Sequence, residues 1–181
     1  IRQGKEPVAP KKDKSIAWNF MYMLKNGQEP KTDHVKIFDT CLILHADHEL
    51  NCSAFATRVT TSSLSDMYSA MTSAIGALKG PLHGGANEQV MIMLKKIGTI
   101  EKAQQFVKDA LDAKEKVMGI GHRVYKNGDP RAAILRKISD KLTAENNEHI
   151  WYEMSTLIDD TMNEEKGLMP NVDFYSATVY Y

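Results

Sequence analysis

Four of the six histidines in this 181-residue chain fall in unusual local contexts. His45 and His48 lie in His-Ala-Asp-His-Glu-Leu-Asn, His83 in Gly-Pro-Leu-His-Gly-Gly-Ala-Asn, and His122 in Gly-Ile-Gly-His-Arg-Val-Tyr. An imidazole donates from one nitrogen and accepts at the other, so such a ring can orient a ligand, polarise a carbonyl or hold a metal. His45 and His48, three residues apart, would share one helix face, an acceptable spacing for two metal ligands. The order His-x-x-His-Glu is neither His-Glu-x-x-His nor His-x-x-Glu-His, and no third ligand is evident, so no metal is expected. Cys52, four residues after His48, is read as a small buried helix residue rather than a histidine-activated nucleophile. His34 and His149 read as plain surface residues.

His83 sits in a glycine-rich turn that leads into a helix. The glycines either let a ligand approach the first-turn N–H groups or serve a tight helix–helix turn. Residues 118–128, Met-Gly-Ile-Gly-His-Arg-Val-Tyr-Lys-Asn-Gly, lack the third glycine and the preceding strand of a dinucleotide loop. They display His122, Arg123, Lys126 and, beyond the next cap, Arg131, a set that suits an anionic ligand, with a solvated basic loop as the other reading. Asp173 lies between Val172 and Phe174. A carboxylate among apolar neighbours can act as a base toward a weak carbon acid, or it can cap a helix.

Helices must position these groups, since apolar residues recur at three and four spacing and no alternating run competes. An all-α fold is expected. Residues 13–26 carry Ile16, Phe20, Met23 and Leu24 on one stripe, with Gly27 as a stop. A second helix begins near Thr32 with Val35, Phe38, Leu42 and His45 inward. Further helices are predicted over 53–61, 65–78, 86–97, 100–116, from Asp129-Pro130 onward with Ile134, Leu135 and Ile138 inward, and 147–166. The stretch 65–78 is rich in Ser, Ala and Gly, which lets another helix come close. Pro170 keeps Met169 extended, and Val179-Tyr180-Tyr181 reads as the start of a buried element.

Lys plus Arg and Asp plus Glu both number 23, so bulk charge recruits neither nucleic acid nor a membrane surface. Two cysteines without a CxxC, and no long apolar segment or signal peptide, fit a cytoplasmic protein. The first residue, Ile1, is not Met, and with the apolar end it reads as the mark of a fragment.

The motifs 44–49, 80–87, 119–126 with Asp129-Pro130-Arg131, and 170–176 (Pro-Asn-Val-Asp-Phe-Tyr-Ser) together resemble the citrate synthase family, most closely its shorter prokaryotic citrate and 2-methylcitrate synthases. The resemblance runs over essentially the whole chain and corresponds to about the middle half of such an enzyme. It implies an all-α homodimer, with residues 1–84 in the large domain and 85–181 in the small one. It implies condensation of oxaloacetate with acetyl-CoA followed by hydrolysis of citryl-CoA; acetyl-CoA is then a substrate, and no cofactor is expected. By resemblance Asp173 is the base, His83 bonds the thioester oxygen and His122 polarises the ketone. His48, Asn51 and Arg131 would bind oxaloacetate; Met118, Gly119, Ile120, Gly121, Lys126 and Lys166 would bind CoA. Two arginines of the family's C-terminal region find no counterpart here, so the 181 residues alone are expected to be inactive or nearly so. The other expectations are a 2-methylcitrate synthase using propanoyl-CoA, a non-catalytic helical binding remnant, and a metal-binding bundle at His45 and His48.

Overall fold

A computed structural model describes residue 4, residues 6–46 and residues 48–181. Ile1 and Asp47, which enter the readings above, lie outside the described residues. Helix dominates, as the periodicity predicts: among the described residues nine α-helices form, and the one bridge outside them pairs Ile120 with Pro170. No helix of the described residues is long and apolar enough to cross a membrane.

The chain divides into two units, Ile1–His48 and Glu49–Tyr181. In the first, α1 (Ile16–Leu24) packs on α2 (Thr32–His45). Ser15 caps α1 by accepting from the Trp18 N–H. The stripe expected to face inward does not: Ile16, Phe20, Met23 and Leu24 are exposed, and Ala17 and Trp18 are buried. In α2 only Cys41 is buried, while Leu42 and His45 are exposed. The aromatic rings supply the reason. Phe20 stacks on Phe38 at 4.7 Å and Trp18 on Tyr22 at 4.7 Å, with Lys11 over both rings of the second pair, so side-by-side stacking sets the face that a simple hydrophobic stripe does not.

In the second unit α3 (Cys52–Ser62) and α4 (Met67–Leu78) form a close hairpin. Ser73 Oγ reaches the Ala56 carbonyl at 3.5 Å, an approach that the small residues of α4 permit. Cys52 is exposed, contrary to the expected buried site, because it opens α3 on the outer side. Five helices build the core: α5 (Ala86–Ile97), α6 (Ile100–Asp112), α7 (Pro130–Glu145), α8 (Ile150–Lys166) and α9 (Val172–Tyr180). Val90, Leu94, Val107, Leu135, Met154, Ile158, Phe174 and Tyr175 are fully buried there. Burying each large apolar side chain contributes about 1.5–3 kcal/mol. Ile134, expected inward, is exposed, because Leu135 and Ala132 take the inner face of α7.

Sequence periodicity missed α9. The segment after Pro170 carries aromatic and β-branched residues that weaken helix propensity, yet Asn171 caps it and Val172, Phe174, Tyr175 and Ala177 are buried. Val179 and Tyr180 belong to α9, and Tyr180 and Tyr181 are exposed in this structure. Several predicted ranges are too generous: α1 spans Ile16–Leu24 rather than 13–26, α4 begins at Met67, α6 stops at Asp112, and α8 begins at Ile150.

Candidate functional site

The turn between α4 and α5 holds His83. Its glycines are required by the turn itself. A Cβ on Gly85 would stand 2.7 Å from the Lys79 carbonyl oxygen, and one on Gly84 would collide with Leu78. The turn closes when the His83 and Gly85 N–H groups both donate to the Gly80 carbonyl at 3.0 Å. His83 Nε2 then accepts from the Ser53 backbone N–H at 3.2 Å and faces Ser53 Oγ at 2.6 Å. A nitrogen that accepts an N–H carries no proton, so the hydroxyl is the donor and the ring proton lies on Nδ1. Ser53 thus sets the tautomer of His83. Ser53 is a partner of His83 that sequence reasoning missed; thirty positions separate the two, and no spacing rule links them.

The loop after α6 fixes His122 in the opposite sense. Its Nδ1 accepts from the Val124 N–H at 3.0 Å and the Tyr125 N–H at 3.2 Å, which puts the ring proton on Nε2. Tyr125 lies against the His122 ring at 4.7 Å, and Arg131 lies over Tyr125 at 5.4 Å. The two rings are therefore held in opposite tautomers, with the ring proton on Nδ1 of His83 and on Nε2 of His122.

Arg131 is less available than the loop sequence implies. Its Nε donates to Asp129 Oδ1 at 2.9 Å and its Nη2 to Oδ2 at 2.7 Å, and the Asp129 side chain is fully buried. Asp129 also accepts from the Arg131 N–H as N-cap of α7, and from the Val172 N–H at 3.1 Å, which ties the starts of α7 and α9 together. Burial alone would raise the Asp129 carboxyl. The Arg131 side chain, the Arg131 N–H and the Val172 N–H outweigh that and hold its pKa below the ordinary carboxylate value. What remains for a ligand is the Arg131 Nη1 edge and a guanidinium whose charge Asp129 partly neutralises.

A short ladder joins the His122 loop to the start of α9. The Gly121 N–H donates to the Met169 carbonyl at 2.8 Å, the Asn171 N–H to the Gly119 carbonyl at 2.9 Å, and Asn171 Nδ2 to the Gly121 carbonyl at 2.9 Å. Asn171 Oδ1 accepts from the Asp173 N–H at 2.9 Å. Asp173 is half-buried in the first turn of α9, where the helix dipole favours its anion. One network of backbone and side-chain bonds thus brings together the His122 loop, Arg131 and Asp173. Asn171 was also missed; the signal was its position as an N-cap immediately before a short helix.

Of the residues assigned to CoA, Gly119 is buried and Met118, Ile120 and Gly121 are half-buried. The ladder already engages the Gly119 and Gly121 carbonyls and the Gly121 N–H. Lys126 is exposed and reaches the His122 carbonyl at 3.5 Å; Lys166 is exposed in the last turn of α8. Asn51 caps α3 by accepting from the Ala54 N–H at 2.9 Å. His48 is half-buried and belongs to the first unit; His45, on α2, directs Nδ1 to the Cys41 carbonyl at 2.8 Å. Among the described residues no three His, Cys, Asp or Glu side chains converge as a metal site. His149 is no plain surface residue: Nε2 meets Asp140 at 2.8 Å and Nδ1 meets Glu153 at 3.3 Å.

The sequence and this geometry can be set beside known proteins. The family model for the citrate synthase C-terminal domain matches residues 1–181. Citrate synthase 2 of Bacillus subtilis is 58% identical over all of this chain, which covers 48% of that protein. The Pyrobaculum aerophilum citrate synthase structure matches 99% of this chain and 46% of its own with TM-score 0.89 at 42% identity. The ternary complex of the Thermoplasma acidophilum citrate synthase with carboxymethyl coenzyme A and oxaloacetate matches 94% of this chain and 46% of its own, with TM-score 0.88 at 39% identity. The chain spans about half the length of the curated relatives it matches. Over that whole span, it belongs to the citrate synthase family.

Proposed function

We propose that the full-length protein carrying this chain condenses oxaloacetate with acetyl-CoA and hydrolyses the citryl-CoA thioester, releasing citrate and CoA. The observation that carries this reading is the pair of histidines held in opposite tautomers, the ring proton on Nδ1 of His83 and on Nε2 of His122, in the same unit as a carboxylate on the first turn of α9. A thioester α-proton is too weakly acidic for a carboxylate in water, so its removal must be matched by a donor at the oxygen where charge develops. Asp173 takes the methyl proton, and the C–H electron pair moves into the C–C bond as the thioester oxygen gains charge. His83 Nδ1–H donates to that oxygen. The nucleophilic carbon then attacks the ketone carbon of oxaloacetate, the C=O π pair moves onto the ketone oxygen, and that oxygen takes the His122 Nε2 proton to become the citryl hydroxyl, the ring being reprotonated from water. Water hydrolyses the thioester, placing an oxygen on the acyl carbon and a proton on the departing CoA sulfur.

In this reading the family resemblance assigns Arg131, His48 and Asn51 to the oxaloacetate carboxylates, and 118–121, Lys126 and Lys166 to CoA. Both are substrates, and no cofactor takes part. Residues 1–84 contribute to the large domain and 85–181 to the small one. A second copy covers the α3 and α4 hairpin, where Phe55, Val59, Met67, Met71 and Ile75 are exposed. The enzyme works in the cytoplasm.

The test is release of free CoA from acetyl-CoA and oxaloacetate by the full-length protein, by the 181-residue chain and by Asp173→Ala of each. Turnover by the long form alone, abolished by Asp173→Ala, is the expected result. Silence of the long form with both acetyl-CoA and propanoyl-CoA would overturn the reading. One added methylene changes discrimination by about 1–3 kcal/mol, so parallel kinetics with the two thioesters assign the acyl group.

A further inference from the structure

The start of α9 is anchored on two sides, and the loops above supply only one. Tyr175, two residues after Asp173, is fully buried, and its hydroxyl donates to Asp159 Oδ2 of α8 at 2.7 Å. The same oxygen accepts from Arg136 Nη1 of α7 at 3.3 Å, and the Arg136 guanidinium lies over the Tyr175 ring at 5.8 Å. One carboxylate oxygen therefore joins three helices. Further down, a buried hydroxyl pair, Ser139 with Thr178 at 2.6 Å, fastens α7 to α9.

Such a set is a poor device for stability alone. Taking a carboxylate out of water opposes its attraction to partners, and apolar replacement of buried ionic sets is often neutral or stabilising. A hydrogen bond has an angular requirement that an apolar contact lacks. Residues two apart on an α-helix point about 200° from each other, so Tyr175 grips one side of α9 while Asp173 leaves the other. Turning α9 by about 10° would swing a carboxylate about 5 Å from the helix axis through about 0.9 Å. A misplacement of about 1 Å at a reacting group can lower the rate about 100-fold.

We propose that Asp159, acting through Tyr175, is a positioning residue: it sets the rotation of α9 and so the aim of the Asp173 carboxylate. The inference rests on the reading of Asp173 as the base that acts on the acyl-CoA.

The test uses the full-length protein with three forms compared: unsubstituted, Asp159→Asn, and the double variant Tyr175→Phe with Asp159→Leu. Asparagine keeps an oxygen acceptor for the tyrosine hydroxyl. The double variant removes donor and acceptor together, so no buried group is orphaned, and Arg136, with 39% of its side chain exposed, can turn to water. The expected result is a melting temperature in the double variant no lower than that of the unsubstituted protein, with kcat down about 10–100-fold and both KM values within about twofold. Asp159→Asn should keep kcat within about fivefold. Amide exchange at Asn171, Val172 and Asp173 should quicken in the double variant and not in α5, because their bonds to Gly119, Asp129 and Asn171 would stretch if α9 turned. A double variant that keeps kcat within about twofold overturns the proposal, as does kcat loss that merely follows melting temperature across the series. If the unsubstituted protein releases no CoA, the synthase reading fails, and the exchange measurement decides alone: unchanged protection at 171–173 refutes the positioning role and quickened exchange supports it.

Discussion

At Gly119 the chain passes so close to α9 that no Cβ fits. With φ at +77°, an added Cβ would stand 2.8 Å from Val90 Cγ2 and 2.9 Å from both Cα and Cβ of Phe174, well inside the usual 3.5–4.0 Å carbon separation. Gly119→Ala should cost about 1–2 kcal/mol for the left-handed backbone and about 1–3 kcal/mol for overlap in a packed interior, together about 2–5 kcal/mol. Gly121→Ala separates the two effects. Gly121 has a similar φ of +83°, but its nearest added contact is Leu168 Cδ2 at 4.0 Å, so only the backbone part, about 1–2 kcal/mol, should be lost. Denaturant unfolding followed by circular dichroism at fixed pH measures both. The difference of about 1–3 kcal/mol is the overlap, and it falls on the residue next to Asp173. Turnover by the full-length protein should therefore fall more in Gly119→Ala than in Gly121→Ala. Equal losses of stability in the two variants would refute the close approach as the reason for glycine at 119.

Two further outcomes follow from charge. Asp129→Asn should destabilise by about 3–5 kcal/mol at pH 7 by leaving Arg131, largely buried, without its bidentate partner. Because the Asp129 carboxyl is depressed, its contribution is complete above the unfolded value of about 4 and is lost as pH falls through the lower folded value, so denaturation curves of the two proteins should converge in a series from pH 7 to pH 3. His149 runs the other way: its hydrogen bond to Asp140, helped by Glu153, raises its pKa, so its contribution is complete below about 6.5 and disappears as pH rises through the folded value. His149→Gln should be less stable than the unsubstituted protein at pH 5.5 and indistinguishable at pH 9; a constant gap would refute the ion-pair account.

The helices that bury a continuous apolar face were legible. The amphipathic helix predicted over 86–97 is α5, and Val90, Met91, Met93, Leu94 and Ile97 on its apolar face are all buried. Asp129-Pro130 marked the start of α7 because a cap and a first-turn proline are local chemistry. The first unit was not legible in the same way. Its interior is set by aromatic stacking, which a periodicity of hydrophobic residues does not encode, so Ile16 and Leu24 were misassigned.

The site divides along the same physical line. His83, His122 and Asp173 stand out because glycine, proline and histidine at element boundaries carry local signals. The groups that set their tautomers and aim act on residues distant in sequence, where local signals are weak. Ser53 acts on a histidine thirty positions away, Asp129 reaches forward to Val172, and Asp159 meets Arg136 and Tyr175 from a different helix. Asp159 follows Ile158 on the buried side of α8, a place where apolar periodicity predicts a hydrophobe. That mismatch is itself a signal. A carboxylate at an inward position must have partners, and a fold that accepts the desolvation at Asp159 does so where direction rather than burial is required. Asp129, Ser139 and Asp159 all bond to the helix that carries Asp173, so the least legible residues are those that aim the most legible one.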